Sequence, residues 1–311
     1  MPNNKTKAAY RKRAQHFYTS RIEGAPTPKK IKGALLNAAA DYRPDYWRQL
    51  RNAICQDQKE KGYTETANAI SQIKNPLTTS SPIDKQKIPK KQPRSKRIKL
   101  DEITRVFLEF KKKRDPLLES ALTLATILGC RPAEMEKILV QSNQDILIVS
   151  AKKRTNDDRG LDRLLKLDQM QTKMVLNALN KLDLETQQIR NKGMKSSLPH
   201  LLERRLSTLT HRIWPRRKCR PTFYSFRHQL ASDLKRSGYS RELIAYIMGH
   251  RSTISATVYG SWQSGSTRGI EAGISESEIR CLVKSNHLKV PKTAPILALH
   301  ESPHPPSQPA P

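Results

Sequence analysis

The chain has 311 residues, enough for one large or two modest domains with an apolar core. Its 58 Lys and Arg residues against 28 Asp and Glu give a formal net charge of +30, more than solubility requires, which points to a polyanionic partner, nucleic acid ahead of a membrane surface. No run of 18 apolar residues occurs and the N-terminal stretch lacks an apolar signal segment, so we expect no membrane association and a cytoplasmic protein.

The N-terminal part of the chain is predicted to be a small, basic helical domain. Over residues 8–75, stretches such as "KKIKGALLNAAADY" and "YWRQLRNAICQDQKEKG" place apolar residues three and four apart, with Lys or Arg between them. This spacing is the period of an amphipathic helix. We place the domain at residues 1–78.

Residues 79–99 have the composition of an extended linker. The stretch "TSSPIDKQKIPKKQPRSKRIK" is rich in Pro, Ser and Lys and has little to bury. A solvated spacer or a localisation signal has this composition, and so does a strap that lies along a phosphate backbone. Eight basic residues in it are candidate phosphate contacts: Lys85, Lys87, Lys90, Lys91, Arg94, Lys96, Arg97 and Lys99.

A larger domain is predicted over residues 100–265. "DEITRVFLEFKKKRD" opens with acidic residues, as helices do, and "PLLESALTLATILGC" is apolar over helical length and should be buried. "CRPAEMEKIL" is predicted to begin a further helix after Pro132. "QDILIVSA" and "LDRLLKL" are predicted to be two strands of a small sheet, joined by the charged connector "KKRTNDDRG". Most of the chain from Met170 to Arg212, and the stretch 222–260, is predicted to be helical.

Residues 266–311 are predicted to hold one short helix and a tail. The helix lies in "SESEIRCLVKSN", where Ile279, Leu282 and Val283 form a short apolar stripe. The Pro-rich remainder is expected to be disordered. The whole pattern predicts a mainly α fold with a small antiparallel β-sheet, in the α+β class.

Three short motifs follow one another in the larger domain. In "ILGCRPAEM" an apolar helix ends in a Gly-x-Arg turn with an acid three residues later, Arg131 and Glu134. "YSFRH" contains Arg227, and "IMGHRSTISATVYG" contains His250 and Tyr259. His250 follows Arg227 by 23 residues and precedes Tyr259 by 9. The order and spacing resemble the active-site boxes of the tyrosine recombinases, the lambda-integrase-like or phage integrase family.

The resemblance covers roughly residues 100–262 and implies an enzyme that cleaves and rejoins DNA strands. Tyr259 would be the nucleophile and would form a covalent 3′-phosphotyrosyl link. Arg131 and Arg227 would bind the phosphate oxygens, because planar guanidiniums donate paired hydrogen bonds to such groups. His250 would hydrogen-bond the phosphate or assist proton movement. Since bond energy is kept in the link, neither ATP nor any cofactor is expected. The four cysteines form no C-x-x-C pair, so no metal site is expected either.

The leaving 5′-oxygen needs a proton, which a lysine on the turn between two strands supplies in that family. Lys152 stands where the resemblance places this lysine, and Lys153 is its rival and a candidate DNA contact. Because neighbouring strand residues point to opposite faces, only one of the two is expected in the site. Two solvated turn lysines would give the same sequence.

Tyr224 departs from the family pattern, since it stands where the family has the first histidine of His-x-x-Arg. We count it among the catalytic candidates, because a phenol can donate a hydrogen bond to a phosphate oxygen, although it is a poor base at neutral pH. His228 is offset by about 100° around a helix and is not expected to replace it. Each residue alone also fits an ordinary structural role, and their joint order and spacing favour the recombinase.

The resemblance also implies partners. Double-stranded DNA would lie in a C-shaped clamp between the helical domain and the catalytic domain, with the linker passing between them. A homotetramer on DNA is implied, with residues 275–286 as a segment donated to the next subunit, although a capping helix on its own chain fits equally well. An accessory DNA-bending or directionality factor is compatible with this assembly.

The resemblance also implies a biological setting for the protein, and two alternative functions stay open. A mobile genetic element, prokaryotic or phage-encoded, is the expected setting, with the protein associated with DNA in the cytoplasm. One alternative is a catalytically weakened or inactive recombinase-like protein that binds specific DNA. Another is an RNA-binding protein in which the motifs arose by chance.

Overall fold

The computed structural model describes residues 4–79, 88–89, 95, 97–112, 114–152, 160–194, 196–267 and 270–284. Contacts divide the chain into two units, residues 1–93 and 94–311. The division falls inside the segment predicted as a linker. None of the helices in the described ranges combines the length and the apolar character needed to cross a lipid bilayer.

The first unit is helical. Proline begins three of its helices, where the fixed φ suits the first turn and the missing N–H is not needed. Its helices are α1 (Asn4–Arg21), α2 (Pro28–Asn37), α3 (Pro44–Glu60), α4 (Thr64–Ser71) and α5 (Pro76–Thr79).

The core of the first unit forms where α1 and α4 pack on α3. Trp47 of α3 is buried, and its indole N–H donates to the Leu35 carbonyl at 2.7 Å, which satisfies the polar end of an otherwise apolar side chain. Phe17 and Ile54 pack in the same cluster. The helical period read from the sequence therefore corresponds to a buried apolar face.

The second unit is mostly helical with one sheet. Its elements in the described ranges are α6 (Leu100–Lys112), α7 (Pro116–Leu128), a 3₁₀ helix (Pro132–Lys137), β1 (Ile138–Val140), β2 (Asp145–Ile148), β3 (Arg163–Lys166), α8 (Gln169–Asn191), α9 (Leu198–Ile213), α10 (Phe223–Arg236), α11 (Arg241–Ile247), α12 (Thr253–Thr257), a 3₁₀ helix (Trp262–Ser264), β4 (Glu271–Ala272) and α13 (Glu276–Leu282).

Helix α7 is the central helix of this unit. It packs against α8, α9 and α10, and most of its side chains are buried. This is why its sequence is nearly continuously apolar rather than amphipathic. The first box lies directly after its C-terminus, so a rigid buried helix positions that box.

The sheet is antiparallel throughout, in the order β1-β2-β3-β4. The two predicted strands are β2 and β3, which pair with Ile148 opposite Arg163 and Asp145 opposite Lys166. The mainly α fold with a small antiparallel sheet is therefore confirmed. The sheet also contains β1 and β4, which the sequence did not predict.

The helix predicted for "CRPAEMEKIL" is wrong over much of its length. The chain forms a 3₁₀ helix from Pro132 to Lys137 and then strand β1. The Glu134 carboxylate reaches back to the Arg131 N–H, which stabilises a short capped turn. Ile138 then pairs with Ile148 of β2, and this pairing favours an extended backbone for β-branched residues.

Helix α13 packs on its own chain in this structure. It contacts α11, and Ile279 and Val283 are buried in the core of the second unit, whereas Leu282 is 38% exposed. Two of the three residues of the predicted apolar stripe thus contribute to the core. The Pro-rich tail lies outside the described residues.

Candidate active site

The first box is built on the C-terminus of α7. Gly129 ends the helix with a φ of 58°, which favours glycine, and a Cβ there would lie 2.5 Å from Leu230 Cδ2 and displace that side chain. The Arg131 N–H donates to Glu134 Oε2 at 2.8 Å, and the Arg131 guanidinium forms an ion pair with Glu134 Oε1. Arg131 is 5% exposed and Glu134 is fully buried. A carboxylate therefore fixes the orientation of the guanidinium.

A third arginine, missed in the sequence analysis, joins this pair. Arg163 on β3 is fully buried, and its Nη2 lies 3.0 Å from Glu134 Oε2. A signal was present, because Leu161, Arg163, Leu165 and Leu167 share the buried face of one strand region. A charged residue in an otherwise apolar strand face marks a buried ion pair.

Arg227 connects two other segments to the first box. It is fully buried on α10, and its Nη1 donates to the Gly129 carbonyl at 2.5 Å. Its Nη2 donates to the Met248 carbonyl and lies 3.3 Å from His250 Nε2. One guanidinium thus links the end of α7 to the turn after α11.

The cluster has more positive than negative charge. Burial raises the pKa of Glu134, but the charges of Arg163, Arg131 and Arg227 outweigh this effect and hold the pKa at about 2. Burial, together with the charges of Arg131 and Arg163, lowers the pKa of Arg227 to about 9. Because both groups stay ionised at neutral pH, the described residues of the cluster comprise three guanidiniums and one carboxylate, which pairs with Arg131 and Arg163. Buried positive charge in excess is costly unless an anion compensates it, so the cluster suits an anionic ligand.

His250 is held at the end of α11 by Gly249. Gly249 has a φ of 62°, and a Cβ there would lie 2.8 Å from Arg163 Nη1 and 3.1 Å from the Leu161 carbonyl oxygen. Only glycine fits between the turn and the buried arginine.

The protonation of His250 follows from its neighbours. Burial, then the charges of Arg227 and Arg131, lower the pKa of His250 to about 2, so the ring is neutral. A guanidinium only donates, so we assign Nε2 as the acceptor from Arg227 and place the proton on Nδ1. Nδ1 is buried and has no hydrogen-bond partner among the described residues. It is therefore a donor suited to a ligand oxygen.

The ring of Tyr259 lies beside this cluster. Arg227 Cζ is 5.4 Å from the centroid of the ring, and the His250 ring is 5.0 Å away, centroid to centroid. The ring of His228 stacks on Tyr259 at 4.6 Å with an interplanar angle of 29°. The aromatic side chain of Tyr259 therefore packs against the guanidinium of Arg227.

Comparisons with known proteins give a match in fold only. A scan against protein-family models finds no match, and neither does a search of curated proteins. Among solved structures, a lambda integrase tetramer bound to a Holliday junction matches with a TM-score of 0.54 and 16% identity, over 87% of this chain and 76% of that chain. A lambda integrase dimer bound to a core site matches with a TM-score of 0.52 and 16% identity, over 87% of this chain and 75% of that chain. The Tn1549 transposon integrase in complex with transposon right end DNA matches with a TM-score of 0.52 and 13% identity, over 85% of this chain and 92% of that chain.

This chain has the tyrosine recombinase fold. The fold implied by the resemblance is thereby confirmed. Within this fold, the structure brings Arg131, Arg227, His250 and Tyr259 together around Glu134 and Arg163.

The other two catalytic candidates lie nearer the surface of the tyrosine recombinase fold. Lys152 is exposed in the turn after β2, and its charge is among those that lower the pKa of His250. Tyr224 is 42% exposed in the first turn of α10, one turn before Arg227. The catalytic roles of all these residues stay predictions.

The predicted phosphate contacts are only partly described. Arg97 is exposed, and its Nη1 donates to Ser264 Oγ at 3.4 Å. Lys99 is exposed, and its backbone N–H donates to Glu102 Oε2 at 2.9 Å. The remaining candidates lie outside the described residues: Lys85, Lys87, Lys90, Lys91, Arg94, Lys96 and Lys153.

His250 should make the stability of the fold depend on pH. Its pKa falls from 6.5 to about 2 on folding, so the unfolded chain binds a proton as the pH drops through 6.5 and the folded chain does not. The stability that the neutral ring contributes is complete above pH 6.5 and is lost below it. At 1.36 kcal/mol per pKa unit over about 1.5 units, the free energy of unfolding should fall by about 2 kcal/mol between pH 8 and pH 5.

Urea denaturation at the two pH values measures this loss, with His250→Asn as the comparison. The variant should lose about 2 kcal/mol less than the wild type. Glu134 does not interfere, because the ordinary pKa of 4.5 for its carboxyl group lies below this pH range. Equal losses in the two proteins would contradict the assignment of a neutral His250.

Proposed function

We propose that this protein is a site-specific DNA recombinase that cleaves and rejoins DNA through a covalent 3′-phosphotyrosyl intermediate. The observation that carries the proposal is the buried cluster in which Arg131 and Arg163 pair with the carboxylate of Glu134, and Arg227 lies beside them against the ring of Tyr259. A phosphodiester supplies the missing negative charge, and its charge grows on the non-bridging oxygens in the transition state. Guanidiniums match these oxygens in geometry and stay charged.

The cleavage step uses Tyr259 as the nucleophile. Its hydroxyl oxygen attacks the phosphorus, the bond from phosphorus to the 5′-oxygen breaks, and the phenolic proton passes to solvent. The electron pair of the broken bond stays on the 5′-oxygen, which takes a proton from Lys152. Attack by a 5′-hydroxyl from the recombining strand reverses these events and releases Tyr259. Each exchange replaces one phosphate ester by another, so the step needs no ATP.

The remaining side chains stabilise the pentavalent phosphorus. Arg131 and Arg227 bind the non-bridging oxygens, and the Nδ1–H of His250 donates to one of them. The carboxylate of Glu134 holds the guanidinium of Arg131 in a fixed orientation. Tyr224 stands where the family has a histidine. Its hydroxyl donates a hydrogen bond to a phosphate oxygen, as that histidine would, but it cannot replace the histidine as a base.

The charge of the chain and the descriptions of its structural neighbours support double-stranded DNA as the substrate. The lambda integrase and Tn1549 integrase structures contain DNA, and one is a tetramer on a Holliday junction. We extend this to a homotetramer on DNA, with the 1–78 helical domain and the linker adding backbone contacts. A mobile element is the setting we propose, and an accessory DNA-bending or directionality factor fits the same scheme.

A second candidate function is a DNA-binding protein with weakened or lost catalysis. The observation that favours it is Tyr224, which cannot act as the base that a histidine supplies at this position. It predicts binding to the same DNA without a covalent adduct. The presence of Tyr259 beside a fully formed arginine cluster favours the active enzyme.

A nicked suicide substrate separates the two candidates. Duplexes tiled across the DNA that flanks the encoding gene are labelled at the 5′ end of one strand and nicked a few nucleotides beyond each test position. The short 5′-hydroxyl product then diffuses away, and the wild-type protein should accumulate as a labelled adduct that survives denaturation with SDS.

The control is the same set of duplexes without nicks, on which rejoining keeps the adduct scarce. Binding in a mobility-shift assay with no adduct on any nicked duplex would contradict the proposed enzyme and support the second candidate. Both measurements use the full chain.

A further inference from the structure

The segment that follows Tyr259 is bound to α10 by side chains to which the proposed cleavage step assigns no role. Lys235, on the last turn of α10, donates from its Nζ to the Tyr259 carbonyl oxygen at 2.5 Å and to the Gly260 carbonyl oxygen at 3.0 Å. Two consecutive carbonyls of a turn are thus bound by one half-buried ammonium group. Hydrogen bonds from a charged donor are stronger than neutral ones, so this contact fixes the backbone that carries Tyr259.

His228 holds the same turn from the other side. Its Nδ1 accepts a hydrogen bond from the Gly260 N–H at 3.2 Å, and its ring stacks on the ring of Tyr259. The imidazole therefore contacts the backbone after the nucleophile and the aromatic ring itself. It lies one residue after Arg227 on α10 and faces Tyr259 rather than the arginine cluster.

Further contacts continue along residues 261–266. Ser232 Oγ accepts from the Ser261 N–H at 3.0 Å, and Asp233 Oδ1 accepts from the Ser266 N–H at 2.8 Å. Gly260 packs so closely on α10 that a Cβ there would lie 2.5 Å from the Ser232 backbone nitrogen. The backbone of this segment therefore rests directly on the helix, and its register along α10 is fixed.

We propose that Lys235 and His228 are positioning residues that hold the Tyr259 hydroxyl in line with the phosphate. This inference rests on the proposed function, because it concerns the geometry of the attacking group. The two residues act through the backbone and the ring of Tyr259 and do not touch the reacting atoms. A displacement of about 1 Å in a reacting group lowers a rate by about 10²-fold, so loosening the turn should slow cleavage without weakening DNA binding.

The first test replaces Lys235 by methionine, which keeps the length of the side chain and removes the donor. Lys235→Met should lower the initial rate of adduct formation on the nicked substrate about 10- to 100-fold relative to wild type. Lys235→Arg, which keeps a charged donor, should recover most of the rate. The matched control is Lys181→Met, which removes one cation from an exposed position on α8.

Affinity for DNA and melting temperature are measured for the same proteins. The Kd in a mobility shift of Lys235→Met should equal that of Lys181→Met, while the adduct rates differ. The melting temperature of each protein sets the temperature range in which both variants are folded, and the rates are compared within it. A merely structural lysine would not separate cleavage from binding. An adduct rate for Lys235→Met within twofold of that for Lys181→Met would overturn the role of Lys235.

Two substitutions of His228 test the second contact and stand independently if Lys235→Met fails to fold. His228→Asn keeps an acceptor near the position of Nδ1 and loses the ring, whereas His228→Phe keeps the ring and loses the acceptor. One hydrogen bond is worth about tenfold in rate, so His228→Phe should form the adduct about tenfold more slowly than the wild type. His228→Asn, which loses the stacked ring, should also be slower than the wild type. Rates for both variants within twofold of the wild-type rate would overturn the role of His228.

The positioning role and the proposed function fail in different ways. If the wild-type protein binds the nicked duplexes and forms no adduct, the proposed function is wrong, and the positioning role is wrong with it. If the wild type forms the adduct and the variants at 228 and 235 match the control, only the positioning role is wrong.

Discussion

Replacing Arg227 with lysine should lower the rate of adduct formation by about 10²- to 10³-fold, the usual cost of losing one donor to a developing oxyanion. The guanidinium of Arg227 reaches the Gly129 and Met248 carbonyls and His250 at the same time. A lysine has one ammonium group and cannot satisfy these partners while it binds a phosphate.

The rate is measured in single-turnover experiments on the nicked substrate, at a temperature well below the melting point of each protein. Because Arg227 is fully buried, the variant will also unfold at a lower temperature, and the melting curve sets the safe range. Arg204→Lys, at an exposed position on α9, is the matched control and should react like the wild type. A rate for Arg227→Lys within tenfold of wild type would contradict the role of Arg227.

Removing the hydroxyl group of Tyr259 should abolish the adduct altogether. Tyr259→Phe keeps the ring that packs against Arg227, His228 and His250 and loses only the attacking oxygen. The variant should therefore fold and bind DNA like the wild type and give no labelled band after SDS treatment.

The second tyrosine of the site provides the control for this experiment. Tyr224→Phe loses the hydrogen bond to the phosphate that the proposed mechanism assigns to Tyr224, and it should still form the adduct, at a rate lowered by about tenfold. Peptide mapping of the wild-type adduct should place the DNA on Tyr259. An adduct formed by Tyr259→Phe, or DNA found on Tyr224, would show that the nucleophile has been assigned to the wrong residue.

The long helices could be predicted from the sequence because each repeats one period over several turns. The stretch that became α7 is an exception, since it is mostly apolar over helical length without a polar face, which favours a buried helix. The strands β1 and β4 have three and two residues, too few to display an alternation. Their conformation depends on pairing with β2 and β3, which the local sequence does not encode.

The site was predictable in part for a similar reason. Arg131, Arg227, His250 and Tyr259 lie in short motifs with regular spacing, whereas Arg163 lies in an ordinary strand sequence. Its role appears only when β3 places it against Glu134 at 3.0 Å. Lys235 and His228 bind the backbone of a turn 24 to 32 residues further along the chain. No local pattern reports such a contact, because it depends on the path of the chain through α11 and α12.

The shared carboxylate of Glu134 couples folding to occupancy of the site. Without a ligand, the repulsion among the positive charges of Arg131, Arg163 and Arg227 destabilises the native state. An anion bound in the cluster would reduce this repulsion. A ligand present at one hundred times its Kd adds about 2.7 kcal/mol to the free energy of unfolding. Under the proposed function, the protein without DNA should be degraded faster than the DNA-bound protein, so its amount in a cell should follow the number of DNA sites that it can bind.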